Sequence, residues 1–270
     1  MNNLYKALFA RNIGIFTEED QHKLQKSTVA IAGVGGVGGL LAERLIRLGV
    51  GRLKIADPEV FEESNINRQF SSCMLNLGQN KTEAVFREIR DINPEARIHC
   101  SDSGIITEND ASLFVSDCDL VIDEMDIGSF KQSVLLQREA RERGIYYLFA
   151  SAIGFGALVV IFDPQGLTLE EYNKLPPDVD LNNTDKLRVP LERSLPVMPS
   201  YATAATAETI QKILDGQTPA PTTSIGAGLA SILAANEAIN IILKKRDIAS
   251  APKYTYIDLL DQQFIVGTVS

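Results

Sequence analysis

The sequence predicts an α/β protein with a doubly wound, mostly parallel sheet that ends in antiparallel C-terminal strands. Three observations carry this. TVAIAGVGGVGG at 28–39 reads as strand, tight glycine turn and helix. Short apolar runs then alternate with helix-period segments as far as IYYLFAS at 145–151, the rhythm of a parallel sheet covered on both faces. Beyond Phe155 the rhythm changes, because GALVVIFDPQG follows the preceding strand with no crossover helix and so reads as antiparallel.

In chain order, MNNLYKALFARNIGIFTEEDQHKLQKS reads as two short helices forming an arm over 1–27, the second capped at Thr17. Val29–Ala32 is the first strand, and it breaks into Gly33, Gly35, Gly36 and Gly38 before LLAERLIRLGV resumes at helical spacing. A Cβ would hold a phosphate chain away from such a turn, and the following helix aims free N–H groups and its positive dipole end at that phosphate. Arg52–Ala56 is the second strand and ends at Asp57, 19 residues after Gly38, where a nucleotide fold of this Rossmann-like kind places an acid for ribose hydroxyls.

PEVFEESNINRQFSSCMLNLGQN at 58–80 has little apolar periodicity, and a long irregular segment beside a nucleotide cradle is expected to be functional. KTEAVFREIRDINP is a helix that stops at Asn93-Pro94; ARIHC is a strand; TENDASLFVSDC is a helix capped at Thr107; Asp119–Asp123 is a strand; SFKQSVLLQREARERG is an amphipathic helix. Residues 168–199 carry five of the eleven prolines and read as a long mobile crossover or lid. SYATAATAETIQKILDG and SIGAGLASILAANEAINIILKK read as helices, the second a core or dimer-interface helix because Asn236, Glu237 and Asn240 interrupt it. KYTYIDLL and QQFIVGTV close as a hairpin around Asp261.

With 270 residues, 45% of them hydrophobic, the chain can fill a real core, and it is read as a single unit over 1–270. The N-terminus carries no charged-then-apolar leader, and Gly, Asp or Lys break the longest apolar stretches, so the expectation is a soluble, cytoplasmic protein with no membrane partner. Cys73, Cys100 and Cys118 are scattered and His22 and His99 lie far apart, which offers no tetrahedral metal site. A net charge of −9 disfavours a nucleic-acid partner.

Chemistry gathers around the cradle. SNINRQF at 64–70 supplies Ser64, Asn65, Arg68 and Gln69; Lys81 opens a helix; Asp123 and Asp126 stand at the carboxyl end of the fourth strand. Adjacent strands of a doubly wound sheet share one crevice at their carboxyl ends, so these residues can meet there. Arg68 and Lys81 would neutralise a triphosphate, and Asp126 would hold magnesium, a hard cation suited to carboxylate and phosphate oxygens. Hydride transfer is disfavoured, since His22 precedes the first strand and His99 lies inside the third.

GVGGVG, Asp57, SNINRQF, the LGQNK run ending in Lys81, and DLVIDEMD together resemble the family of ubiquitin-activating-type adenylyltransferases that includes MoeB, ThiF and HesA. INPEARI, IGFGALVVIFDP, the IGAGLASILAANEAINIILKK helix and the final hairpin follow in family order. The resemblance implies an enzyme that uses ATP with magnesium to activate a carboxylate as an acyl-adenylate with release of pyrophosphate. The usual substrate is the diglycine C-terminus of a ubiquitin-like or sulfur-carrier protein; a peptide with a free C-terminal carboxylate is the variant considered. It also implies that Gly36 and its neighbours touch the phosphates, that Asp57 and the nearby Glu59 and Ser64 belong to the nucleotide site, and that Asn65, Arg68 and Lys81 contact the triphosphate, with Asp126 on magnesium. Arg11 matches an arginine that crosses a homodimer into the partner's nucleotide site; otherwise it is a surface charge on a terminal helix.

The chain departs from the family at three points. DPQGLTLEEYNK and PTTSIGAG replace the two C-x-x-C pairs of many relatives, so no structural zinc is expected; Ile127 follows the magnesium aspartate where Asn is common; and 168–199 holds no cysteine, Cys73 being read instead as a small buried thiol. The alternatives are activation of the carboxyl of a modified tRNA nucleoside, as in a tRNA threonylcarbamoyladenosine-type dehydratase, and a non-catalytic nucleotide-binding subunit.

Overall fold

The computed structural model describes residues 1–176, 179–182, 189–202, 206–214, 217, 218 and 220–269. β1 (Thr28–Ala32), β2 (Arg52–Ala56), β3 (Arg97–Ser101), β4 (Leu120–Asp123) and β5 (Tyr146–Ile153) pair in parallel, and β6 (Gly156–Phe162), β7 (Lys253–Asp258) and β8 (Gln263–Thr268) extend the sheet antiparallel. The order is β3-β2-β1-β4-β5-β6-β7-β8, so β1 stands where the winding reverses, between β2 and β4. That reversal leaves a crevice outside the carboxyl ends of β1 and β4.

Period-2 alternation along β1 divides the core. Val29 and Ile31 face a layer made by α3 (Gly38–Leu48), α4 (Lys81–Ile92) and α10 (Ser224–Leu243), while Ala30 and Ala32 face α5 (Glu108–Val115) and α6 (Phe130–Glu142). Leu41, Leu45, Ile46, Val85 and Ile89 are fully buried in the first layer, and each such side chain contributes roughly 1.5–3 kcal/mol. Length and composition alone would allow α10 to cross a membrane, with mean hydropathy 1.5. It instead packs against β5, β6 and α3, and its Glu237 pairs with Arg246. It is a core helix, which its apolar circumference requires.

The N-terminal arm holds α1 (Asn3–Leu8) and α2 (Glu18–Lys26), the latter started by a capping box between Thr17 and Asp20. Tyr5 donates to the Gly49 carbonyl and Asn12 to the Leu48 carbonyl, which docks the arm at the C-terminal end of α3.

Two expectations change. Within the 168–199 crossover, α7 (Leu169–Tyr172) and α8 (Leu191–Ser194) are helical, and Leu169 and Tyr172 are buried in the second core layer, with the Tyr172 hydroxyl on the Arg193 carbonyl. Residues 177, 178 and 183–188 of that segment lie outside the described residues. The helix expected over 200–216 is shorter, since α9 spans Ala207–Leu214. Tyr201 is drawn away by Asp258, to which its hydroxyl donates at 2.7 Å, and it accepts from the Phe155 amide; residues 203–205, 215 and 216 lie outside the described residues.

Candidate active site

The glycine turn is closed by backbone, not by side chains. Gly33 has φ +86°, and a Cβ there would stand 2.5 Å from the Glu124 carbonyl oxygen; one at Gly38 would stand 1.9 Å from the Gly33 carbonyl oxygen. Those two glycines are structural necessities of the turn. Gly35 and Gly36 instead face side chains from the 58–80 loop: Gln69 lies 3.5 Å and Arg68 3.4 Å from where their Cβ atoms would be. A Cβ at either position would make ordinary van der Waals contact with these side chains, so what the two glycines do is leave the backbone of the turn open toward the loop.

Asp57, buried at the end of β2, ties the strand to the turn. One carboxylate oxygen accepts from the Val34 amide and the other from the Glu59 amide, each at 2.9 Å. Each oxygen keeps a further acceptor position for a ribose hydroxyl. Burial raises its pKa, against which the Glu59 amide and the Lys81 ammonium pull downward. Lys81 itself is 4% exposed at its side chain and its ammonium is paired with the Glu59 carboxylate at 2.5 Å. Glu59, assigned from sequence to the cofactor set, is therefore the partner that holds this lysine, and more than half of its side chain remains in solvent.

Arg68 is half-buried across Gly36, its guanidinium donating to the Ser64 carbonyl and to Asn67 Oδ1. Asn65 is buried and its carboxamide oxygen accepts from the Glu62 amide, so in this state it shapes the loop, while Ser64 is exposed beside it. Gln69 Oε1 is buried without a hydrogen-bond partner, an acceptor next to Gly35 that suits a polar ligand in the cradle. Asp126 is exposed just past Met125, whose amide nitrogen would lie 2.9 Å from a Gly33 Cβ; its carboxylate makes no hydrogen bond among the described residues. One unencumbered carboxylate beside a phosphate cradle fits magnesium, which takes the rest of its shell from phosphate and water. The described residues contain no cluster of three or more metal-ligating side chains.

Sequence reasoning passed over Glu124 and Tyr147. Glu124 lies under the turn and accepts from the Ala150 amide at 3.2 Å; burial, and then the neighbouring Asp123, drive its pKa well up. Asp123, raised by burial, accepts from the Tyr147 hydroxyl. The only signal for Tyr147 was a polar tip in the core-like run IYYLFAS, which periodicity does not rank. Cys73 is exposed, contrary to the buried thiol expected, because it sits on the outer side of the irregular loop with Met74 and Leu75. Arg11 joins none of this. It is exposed at the arm, beside the C-terminal end of α3, whereas the cradle lies at the N-terminal end.

Residues 9–269 match the model of the ThiF family. The chain belongs to that family. Over 137 residues this ThiF-family chain is 36% identical to the tRNA threonylcarbamoyladenosine dehydratase of Bacillus subtilis, covering 51% of itself and 53% of that protein. Over 121 residues it is 35% identical to the adenylyltransferase and sulfurtransferase MOCS3 of Drosophila willistoni, covering 45% and 26%. It spans about half, or less, of the length of these curated relatives. The structure of E. coli MccB with ATP superposes with a TM-score of 0.73 over 100% of this chain and 74% of that one, at 18% identity, and PaaA with 0.72 over 100% and 75%, at 16%. Those likenesses establish the ThiF-type fold.

Proposed function

We propose that this ThiF-family chain is an ATP-dependent adenylyltransferase. The C-terminal carboxylate of a ubiquitin-like or sulfur-carrier protein, or of a peptide, attacks the α-phosphorus of ATP, the bond to the pyrophosphate oxygen breaks, and acyl-adenylate and pyrophosphate result. The observation that carries this reading is the placing of two cations about one glycine turn on the N-terminus of α3: Arg68 lies across Gly36, and buried Lys81 acts electrostatically on Asp57, whose carboxylate accepts from the Val34 amide of that turn. Preorganised charge of this kind stabilises the negative charge that grows on transferring phosphate oxygens. Asp57 orients the ribose, and the Gly35–Gly36 backbone receives the phosphates. A magnesium ion on Asp126 would supply further neutralisation at the phosphates.

Arg11 is proposed to act in trans. The eleven-residue α3, about 16 Å long, separates it from its own cradle, so a second copy of the chain is the site it can serve. The homodimer is part of the same proposal.

The test is exchange of labelled pyrophosphate into ATP by the purified protein with magnesium and candidate carriers. Carrier-dependent exchange that falls in Arg68→Ala supports the reading; ATP binding with no exchange in either form refutes it in favour of a non-catalytic subunit. The identity to a tRNA threonylcarbamoyladenosine dehydratase favours a second reading, in which the carboxyl belongs to a modified tRNA nucleoside. Exchange supported by tRNA and not by carriers or peptides selects it.

A further inference from the structure

We infer that the substrate's carboxylate is carried by bulky apolar residues, not by the paired glycines implied by the family resemblance. The inference rests on the adenylation reading and names its substrate class: a peptide or protein C-terminus whose last residues are large and apolar.

A cavity of about 650 Å³ opens at Asp126 and runs between the carboxyl end of β5 and helices α6, α7, α8 and α9. Its size is that of a site for a ligand of several residues. Ile127, Phe130, Phe149, Ile153, Met198 and Ile210 form its apolar wall, and Ile127 and Met198 remain well exposed at 44% and 46%. A diglycine tail brings no side chains to fill this volume, and an apolar space left unfilled forfeits dispersion contacts along its whole lining. Bulky apolar side chains would remove the exposed Ile127 and Met198 from water and fill the space behind them.

The sheet adds a reason for a peptide main chain. The register of β5 on β4 ends at Asp123↔Phe149, so Ala150–Ile153 continue along the cavity with no described strand on that side. The Ala150 amide points that way, since it donates to Glu124, and the two-residue period turns Ala152 to the same side. An extended segment could pair with this stretch while alternate side chains enter the cavity, leaving its terminal carboxylate at the Asp126 end.

The test uses the whole chain with ATP and magnesium. ATP affinity is first measured by calorimetry. A peptide library randomised over its last four residues, with a free C-terminal carboxylate, is then selected on the protein, and two heptapeptides differing only in ending Leu-Phe or Gly-Gly are compared by fluorescence anisotropy and pyrophosphate exchange. The expected result is enrichment of Leu, Ile, Phe and Met at the last positions, with about tenfold or greater preference for the Leu-Phe peptide. Ser151→Phe, on the same face of β5 as Phe149 and Ile153 and in the cavity lining, should abolish that preference with ATP affinity unchanged. Enrichment of glycine ends, an absence of C-terminal preference, or undiminished Leu-Phe binding by Ser151→Phe overturns the inference. Loss of the adenylation reading itself would be seen separately, as no ATP binding or as enriched peptides that bind and support no exchange.

Discussion

Replacing Lys81 by Met separates what this residue does for the site from what it does for the fold. Its side chain is 4% exposed and its partner Glu59 is 57% exposed, so the pair is unequal. Lys81→Met leaves an apolar chain of similar length in a buried slot and releases Glu59 to water, and stability should change by less than about 1.5 kcal/mol. Glu59→Gln is the harsher change for folding, because it leaves a buried ammonium beside Asp57 without its charged partner; about 1–3 kcal/mol should be lost. For chemistry the order reverses. Lys81→Met removes a preorganised cation from the phosphate cradle, a loss of about 10²–10³ in turnover, or about 2.7–4 kcal/mol of transition-state stabilisation. Urea unfolding gives the first quantity and pyrophosphate exchange the second. If Lys81→Met exchanges within about threefold of the unaltered protein, the ammonium is not at the reacting phosphates and the site assignment fails.

Gly38→Ala should yield protein that fails to bind ATP or to fold, since its Cβ would meet the Gly33 carbonyl oxygen at 1.9 Å, whereas Gly128→Ala, with nothing within 4 Å, should melt normally by calorimetry. Asp20 is held down to about 2, chiefly by the hydrogen bond from Lys245 and then by the Thr17 amide. Its folded pKa lies below its unfolded one, so the stability it contributes is present above about pH 4 and lost as pH falls towards 2. Lys245→Met should lower stability at pH 7 by about 1 kcal/mol, the ammonium being half exposed, and flatten the loss over that acid window in melts taken at each pH. A thiol reagent at pH 8 should modify Cys73 quickly and Cys100 and Cys118 slowly, because burial pushes both of the latter up to about 11; mass spectrometry of the labelled peptides reads the order.

The fold was legible wherever local patterns repeat. β2 spans Arg52–Ala56, the bounds read from the sequence, α2 and α5 start after Thr17 and Thr107, and the switch to antiparallel pairing at β6 follows from the missing crossover helix. What escaped depended on contacts distant in sequence. SYATA looks helical in a window, but Asp258, 57 residues away, captures the Tyr201 hydroxyl. Within the site, the glycines, Asp57, Arg68 and Lys81 were readable because their types and order are specific. Glu124 was not, since an acid at the end of an apolar strand gives no sign that the Ala150 amide and the glycine turn will enclose it. The apolar cavity was hidden for the same reason: Phe130, Phe149 and Ile210 come from three separate elements, each plausibly core by its own periodicity.

The 58–80 loop shows how an irregular segment can still position charge. Its ends are stitched by Phe61 and Gly78, the Gly78 amide donating to the Phe61 carbonyl at 2.8 Å, by the Phe61 amide on the Gln79 carbonyl at 3.0 Å, and by the bridge of Val60 with Asn80. That closure puts Glu59 beside Lys81, whose amide donates to the Glu59 carbonyl, while the Asn80 side chain caps α4 and fixes where Lys81 begins it. Between the stitched ends, the turn at Glu63–Asn65 carries Arg68 over Gly36, and Phe61 anchors the closure by being buried at 1% exposure. The two cations thus depend on one closure. Opening it at Phe61 should displace Lys81 and Arg68 together, so Phe61→Ala should cost exchange activity more than either single cation does, at a destabilisation of about 3–5 kcal/mol if the site cannot collapse. Retention of exchange in a folded Phe61→Ala protein would show that the loop's closure does not set the positions of the cations.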